Sequence, residues 1–340
     1  MEEEKKRLPI IGISTGDING IGPEVIMKTL LDPRLEEMCI PVIYGSGRVL
    51  TRYRKLLNLL KFNFNQVDNI KDIHPKRINV INCTEDDIDV FPGTITPEAG
   101  KLAFDALESV TRDLLRKNID ALVTAPINKK NIQNENFQFP GHTEYLAMNA
   151  GKDDYLMMFH SEEMKIGMVT GHIPLHKVSE TLTEELIMSK ALMFNDVLKN
   201  DFDIHRPKIA ILGLNPHAGD NGLLGNEEQD VIIPAINKLK EQNVLAFGPY
   251  PSDGFFGNYS FKKFDGILAL YHDQGLIPFK TIAFERGVNY TAGLPFIRTS
   301  PDHGTAYEIA GKGIANIDSF REALYLACDI AKRRNKSISE

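Results

Sequence analysis

The chain has 340 residues, and 39 Lys+Arg against 46 Asp+Glu leave a formal charge of −7. With 42% hydrophobic and 25% charged residues, this composition excludes a disordered or collagen-like chain and, at roughly 150 residues per domain, suggests about two lobes. Basic residues are scattered rather than clustered, so the sequence predicts no nucleic-acid partner and no membrane partner, and small molecules are the expected ligands. Cys39, Cys83 and Cys328 lie far apart and form neither a disulfide framework nor a CxxC motif, which predicts a reducing, cytoplasmic location. The start is charged, the apolar stretch 10–13 is too short for a signal peptide, and no later run approaches the ~18 apolar residues of a membrane span.

In chain order, Val- and Ile-rich runs predict strands at 10–14, 41–44, 78–81, 121–124, 156–159, 165–170, 208–213 and 266–271. Helices are expected between them, which together predicts an α/β fold with a mainly parallel sheet. Pro23 and Glu24 open a helix over 24–31, and Thr96-Pro97-Glu98 opens one over 97–117. Thr181 with Glu184 reads as a capping box for a helix over 184–199, and a last helix over 319–333 presents Phe320, Leu324 and Ala327 on one face. No repeat or flexible linker is visible. The polar loop 128–141 is the expected boundary, giving a first lobe of 1–130 plus 299–340 and a second of 131–298.

Gly45-Ser46-Gly47-Arg48-Val49-Leu50 has the position of a dinucleotide fingerprint but carries Leu50 where the third glycine is needed, and it is read as a tight turn. The glycine-rich turn from Thr15 to Glu24 also joins a strand to a helix N-terminus, where an anion can sit.

Three of nine histidines share one context, an apolar run followed directly by a turn that holds the His: His172, His217 and His272. Each alone is an ordinary loop histidine. Together, beyond the carboxyl ends of strands, they form a candidate tri-His metal site with positions left open for substrate. His74, His160, His176 and His205 lack this context and read as surface residues. Gly141-His142-Thr143 precedes a short helix, a corner that suits a phosphate although capping alone explains Thr143. Lys280, Asn289 and Arg298 lie in a stretch poor in acids, and a Lys with an Arg suits a small substrate bearing phosphate and carboxylate.

Taken together, several segments resemble one family, the 4-hydroxythreonine-4-phosphate dehydrogenases of pyridoxal phosphate (vitamin B6) biosynthesis. They are Gly16-Asp17 with Gly20-Ile21-Gly22-Pro23-Glu24, Thr124-Ala125-Pro126-Ile127-Asn128-Lys129, Pro140-Gly141-His142-Thr143-Glu144, residues 169–175, residues 213–219, residues 271–278 and residues 293–305. They run in the family's order, with 217 − 172 = 45 and 272 − 217 = 55 residues between the histidines. The resemblance implies a two-lobed α/β/α sandwich of the isocitrate and isopropylmalate dehydrogenase type, with the active site in the cleft between lobes. It implies that His172, His217 and His272 ligate one divalent ion (Zn, Mg, Co or Mn) in a site shared across a homodimer. It implies that His142, Thr143, Lys280, Asn289 and Arg298 contact substrate and, by family position, that Asp253 is the general base; Asp273, beside His272, instead reads as a residue that orients that ligand. NAD or NADP would oxidise 4-phosphooxy-L-threonine, and decarboxylation would give 3-amino-2-oxopropyl phosphate. The chain departs from the family pattern at Ile18-Asn19 and Gly171, which leaves open a sister dehydrogenase acting on 4-phospho-D-threonate or 4-phospho-D-erythronate. Outside the family, the same residues suit a tri-His metal hydrolase or a non-catalytic phosphate-binding protein.

Overall fold

The structure, a computed structural model, describes residues 7–337, so residues 1–6 of the charged start lie outside it. Strand β1 (Ile10–Ser14) is buried at four of five positions, as a strand covered on both faces must be. Helix α1 (Gly22–Leu30) starts one residue before Pro23, whose missing N–H costs nothing in a first turn. Next come β2 (Ile40–Gly45), α2 (Gly47–Leu56), β3 (Asn65–Val67), β4 (Asn79–Asn82), α3 (Pro97–Leu115), β5 (Ala121–Thr124) and α4 (His142–Asn149). A second group follows: β6 (Leu156–His160), β7 (Lys165–Met168), α5 (Val178–Thr181), α6 (Glu184–Asn200), β8 (Lys208–Leu212), α7 (Ile233–Glu241), β9 (Leu245–Tyr250), α8 (Ser252–Gly257), β10 (Gly266–Ala269), α9 (His272–Ala283) and β11 (Val288–Ala292). The chain closes with β12 (Ile297–Pro301) and α10 (Asp318–Ser337).

These elements form two units, Met1–Asp153 with Leu294–Glu340, and Asp154–Gly293. The first crossing falls after residue 153 and the return before residue 294, rather than at 130 and 298 as the loop composition suggests. The polar loop belongs to the first unit because Asn131 Nδ2 donates to Asp17 Oδ2 (2.7 Å) and to Thr96 O (3.0 Å). Rings of Phe137 and Tyr145 also pack on Phe104 of α3 at 6.1 and 6.3 Å between centroids. Arg298 stays with this unit because β12 pairs with β5.

In the first unit the strand order is β3-β4-β2-β1-β5-β12, all parallel. Along the predicted face of α10, Phe320, Leu324 and Ala327 are fully buried, each large side chain contributing at most about 1.5–3 kcal/mol. The turn after β1 needs its first glycine: Gly16 has φ +63°, and a Cβ there would stand 2.2 Å from Pro126 O. The Gly45–Leu50 segment is the tight turn expected, with Ser46 Oγ accepting from Val49 N–H (3.4 Å) and Leu50 wholly buried.

In the second unit the order is β11-β6-β7-β10-β8-β9. The β11-β6 and β6-β7 pairs are antiparallel; the other three pairs are parallel. A core including Phe159, Ile166, Leu212, Ile267 and Phe279 fills it. Two expectations are corrected here. Thr183, not Thr181, caps α6 by accepting from Leu186 N–H (3.1 Å), whereas Thr181 Oγ1 donates back to Lys177 O (2.7 Å). His160 is half-buried rather than fully exposed: it ends β6 with Nδ1 buried and its ring 5.1 Å from that of Phe202.

Candidate active site

The parallel order β7-β10-β8 lays three carboxyl ends side by side, and the three candidate histidines follow those ends. Neighbouring strands are spaced by about 4.8 Å, so His172 after β7 and His272 after β10 can meet. They do: their ring centroids are 5.4 Å apart, in a cavity of about 290 Å³ that Gly171, Tyr271 and Asp273 also line. Asp273 Oδ1 lies 2.7 Å from His272 Nδ1, the contact that a carboxylate orienting this ring would make.

His217 follows the next strand, exposed on a loop in which residues 217–221 all have positive φ. Four of those five are not glycine, a costly conformation that persists only where surroundings hold it. The holder is Glu228, 1% exposed, whose Oε1 accepts from Leu214 N–H and Asn215 N–H (both 2.7 Å) and whose Oε2 accepts from Asn215 Nδ2 (3.0 Å). Among the described residues, however, no group of three His, Cys, Asp or Glu side chains is arranged to hold a metal ion. One chain therefore brings His172 and His272 together and does not complete the triad with His217. In donor chemistry the pair fits a divalent ion of the zinc or cobalt type, with further positions open.

The other candidates of this unit are dispersed. Lys280 is half-buried on α9, eight residues beyond His272. Asn289 sits on β11 opposite Phe159, with Oδ1 buried and no hydrogen-bond partner among the described residues. Asp253 is exposed in the first turn of α8.

The first unit gathers an anion corner. Arg298 on β12 is 4% exposed, and its Nε and Nη2 donate to Thr124 Oγ1 at the end of β5 (3.2 and 2.9 Å). Its Nη1 donates to Thr143 Oγ1 (3.4 Å) in the first turn of α4. Burial brings the guanidinium down to about 10, with Glu144 pulling the other way, so it is a cation at neutral pH. Burial, and then the charges of Arg298 and Lys129, hold His142 well below its ordinary value. Its imidazole is neutral, and its buried Nε2 has no partner among the described residues. A cation among hydroxyls, a neutral imidazole and the N–H groups of a helix start together favour an anionic group.

None of Thr124, Glu228 and Gln274 stands out as a site residue in the sequence: Thr124 and Gln274 lie inside family segments without a role of their own, Glu228 lies outside them all, and all three are buried. Of the departures from the family pattern, Ile18 and Asn19 are structural: Ile18 is fully buried, and Asn19 Oδ1 accepts from Phe91 N–H (2.8 Å). Gly171 alone lines the histidine cavity.

A family profile described as pyridoxal phosphate biosynthetic protein PdxA matches residues 37–327. The chain belongs to this family. A 4-hydroxythreonine-4-phosphate dehydrogenase from Bacteroides thetaiotaomicron is 51% identical over 337 residues, covering 99% of this chain and 92% of the relative. The crystal structure of the Klebsiella pneumoniae 4-hydroxythreonine-4-phosphate dehydrogenase superposes with a TM-score of 0.84 at 36% identity, covering 97% of this chain and 100% of that one. A relative from Oceanobacillus iheyensis, provisionally named a D-threonate 4-phosphate dehydrogenase, is 38% identical over 95% of this chain and 98% of its own. This PdxA-family chain is thus an oxidoreductase of the dehydrogenase class, with a nicotinamide cofactor and a small phosphorylated substrate. No helix among its described residues is long and apolar enough to cross a membrane.

Proposed function

We propose that this dehydrogenase oxidises 4-phosphooxy-L-threonine at C3 with NAD or NADP and releases CO2, giving 3-amino-2-oxopropyl phosphate in the cytoplasm. The observation that carries the reading is the pairing of His172 with His272 in one cavity, alongside a separately built anion corner around Arg298. The substrate of that reaction bears a hydroxyl to be oxidised, which suits the histidine pair chemically, and a phosphate and a carboxylate, which suit an anion corner.

Arg298, Thr143 and the first N–H groups of α4 hold an anionic end of the substrate. The neutral His142 offers Nε2 as donor or acceptor to the same end. Lys280 and Asn289 contact the remaining polar groups. His172 and His272 would hold a divalent ion of the Zn, Co, Mn or Mg class, and the third imidazole, His217, would be brought in across a homodimer. When bound, such an ion acidifies the C3 hydroxyl and stabilises the charge left by loss of CO2, while the oxidised nicotinamide takes up the hydride. Asp253 removes the hydroxyl proton as hydride leaves C3. In the resulting 3-oxo acid the C1–C2 bond then breaks, CO2 departs, and C2 is reprotonated.

The test offers purified, metal-supplemented enzyme 4-phosphooxy-L-threonine and 4-phospho-D-threonate side by side, each with NAD and with NADP. Preference for the amino acid phosphate supports the reading. Preference for the threonate moves the enzyme to the sister reaction, which the Oceanobacillus iheyensis relative and the cavity position of Gly171 leave open.

A further inference from the structure

We propose that Gln274 is a positioning residue that locks together the three segments carrying His217, Asp253 and His272. This rests on the metal reading given above. Gln274 is 8% exposed in the first turns of α9, two residues beyond His272. Its Oε1 accepts from Leu270 N–H (2.7 Å), at the end of β10. Its Nε2 donates to Gly213 O (2.6 Å), where the His217 loop leaves β8, and to Ser252 Oγ (2.9 Å), the neighbour of Asp253. Leu270 O in turn accepts from Thr170 N–H (3.1 Å) and Thr170 Oγ1 (2.8 Å), which ties in the segment leading to His172. One buried amide thus sits at the centre of a network reaching all four segments that bear the proposed metal ligands and base.

The chemistry demands an amide. Leu270 N–H can only donate and Gly213 O can only accept, so the residue between them must present one acceptor and one donor in a fixed plane. A carboxylate there would set an oxygen against the Gly213 carbonyl with no proton between them. An apolar side chain would strand a buried N–H and a buried C=O. The loop being registered is the strained one at residues 217–221, so a slip at Gly213 passes directly to His217.

The test is calorimetric titration of the chelator-treated full chain with Co2+ alone, beside its thermal melt. Gln274→Met keeps the volume and removes all three contacts; Gln274→Asn is one methylene too short to make them together. Whichever variant keeps a cooperative melt is titrated. The expected result is a Co2+ dissociation constant raised about tenfold or more, with an altered cobalt visible spectrum, as for other residues that orient metal ligands from behind. A folded variant that binds Co2+ within about twofold of the parent overturns the positioning role, whatever its melting temperature. Failure of the underlying reading looks different: the parent binds no Co2+, or His272→Ala binds it as well as the parent.

Discussion

Arg298 is the residue on which the anion corner turns. Its guanidinium is buried, is pulled down to about 10 by that burial, and holds the hydroxyls of Thr124 and Thr143. Arg298→Ala should raise the KM for the phosphorylated substrate about 10- to 100-fold, the weight of one charge-assisted hydrogen bond, with a smaller change in kcat. An unchanged KM would remove Arg298 from the substrate site. Burial lowers the guanidinium only to about 10, so the cation that attracts the anion is complete across the neutral range, and the KM difference between parent and Arg298→Ala should hold from about pH 7 to 8. Arg298 stood out as a candidate because an Arg in an acid-poor stretch is chemically narrow. Gln274 did not, because only burial distinguishes a bridging amide from a solvated one.

At the scale of elements, α6 offers a direct comparison of two threonines. Thr183 Oγ1 caps the helix, whereas Thr181 Oγ1 donates back to Lys177 O, just before α5. Thr183→Ala should cost about 1 kcal/mol of stability and Thr181→Ala about half that or less, read as shifts in the denaturant midpoint. The sequence placed most strands because central parallel strands read as short apolar runs, and β1 and β5 match their expected limits. It missed four, each for a physical reason. β12 runs Ile-Arg-Thr-Ser-Pro, fully buried yet mostly polar, and satisfies its side chains through bonds such as Thr299 Oγ1 to Ala323 O (2.8 Å). β11 carries Asn289 and Thr291 among apolar residues, which breaks the run. β3 and β9 are outer strands of their units, short in one case and interrupted by Gly-Pro in the other, and such strands need no continuous apolar pattern. The candidate histidines were legible as three similar strand ends but not as a pair plus one: β8 neighbours β10 just as β7 does, and the positive-φ loop at residues 217–221 that carries His217 has no residue pattern to announce it.

At the scale of the whole molecule, two of the three candidate ligands meet in one chain, which is the arrangement expected if the proposed site is completed by a second copy. A coexpression test separates the alternatives. Chains carrying His217→Ala and chains carrying His272→Ala, each inactive alone, should regain up to about a quarter of parental activity when mixed in equal amounts, since one site in each mixed dimer is whole. If both histidines serve a site within one chain, mixing restores nothing. In the proposed reaction, metal-dependent oxidation and loss of the carboxyl group occur together in one active site. This coupling is tested most directly by carboxyl-labelled 4-phosphooxy-L-threonine, following CO2 and reduced nicotinamide together, before chelation, after it, and after adding back Zn2+ or Co2+. One CO2 is expected per reduced nicotinamide, with both lost on chelation and both restored by the metal. Reduction of nicotinamide without CO2, or full turnover in the presence of the chelator, would contradict the proposal.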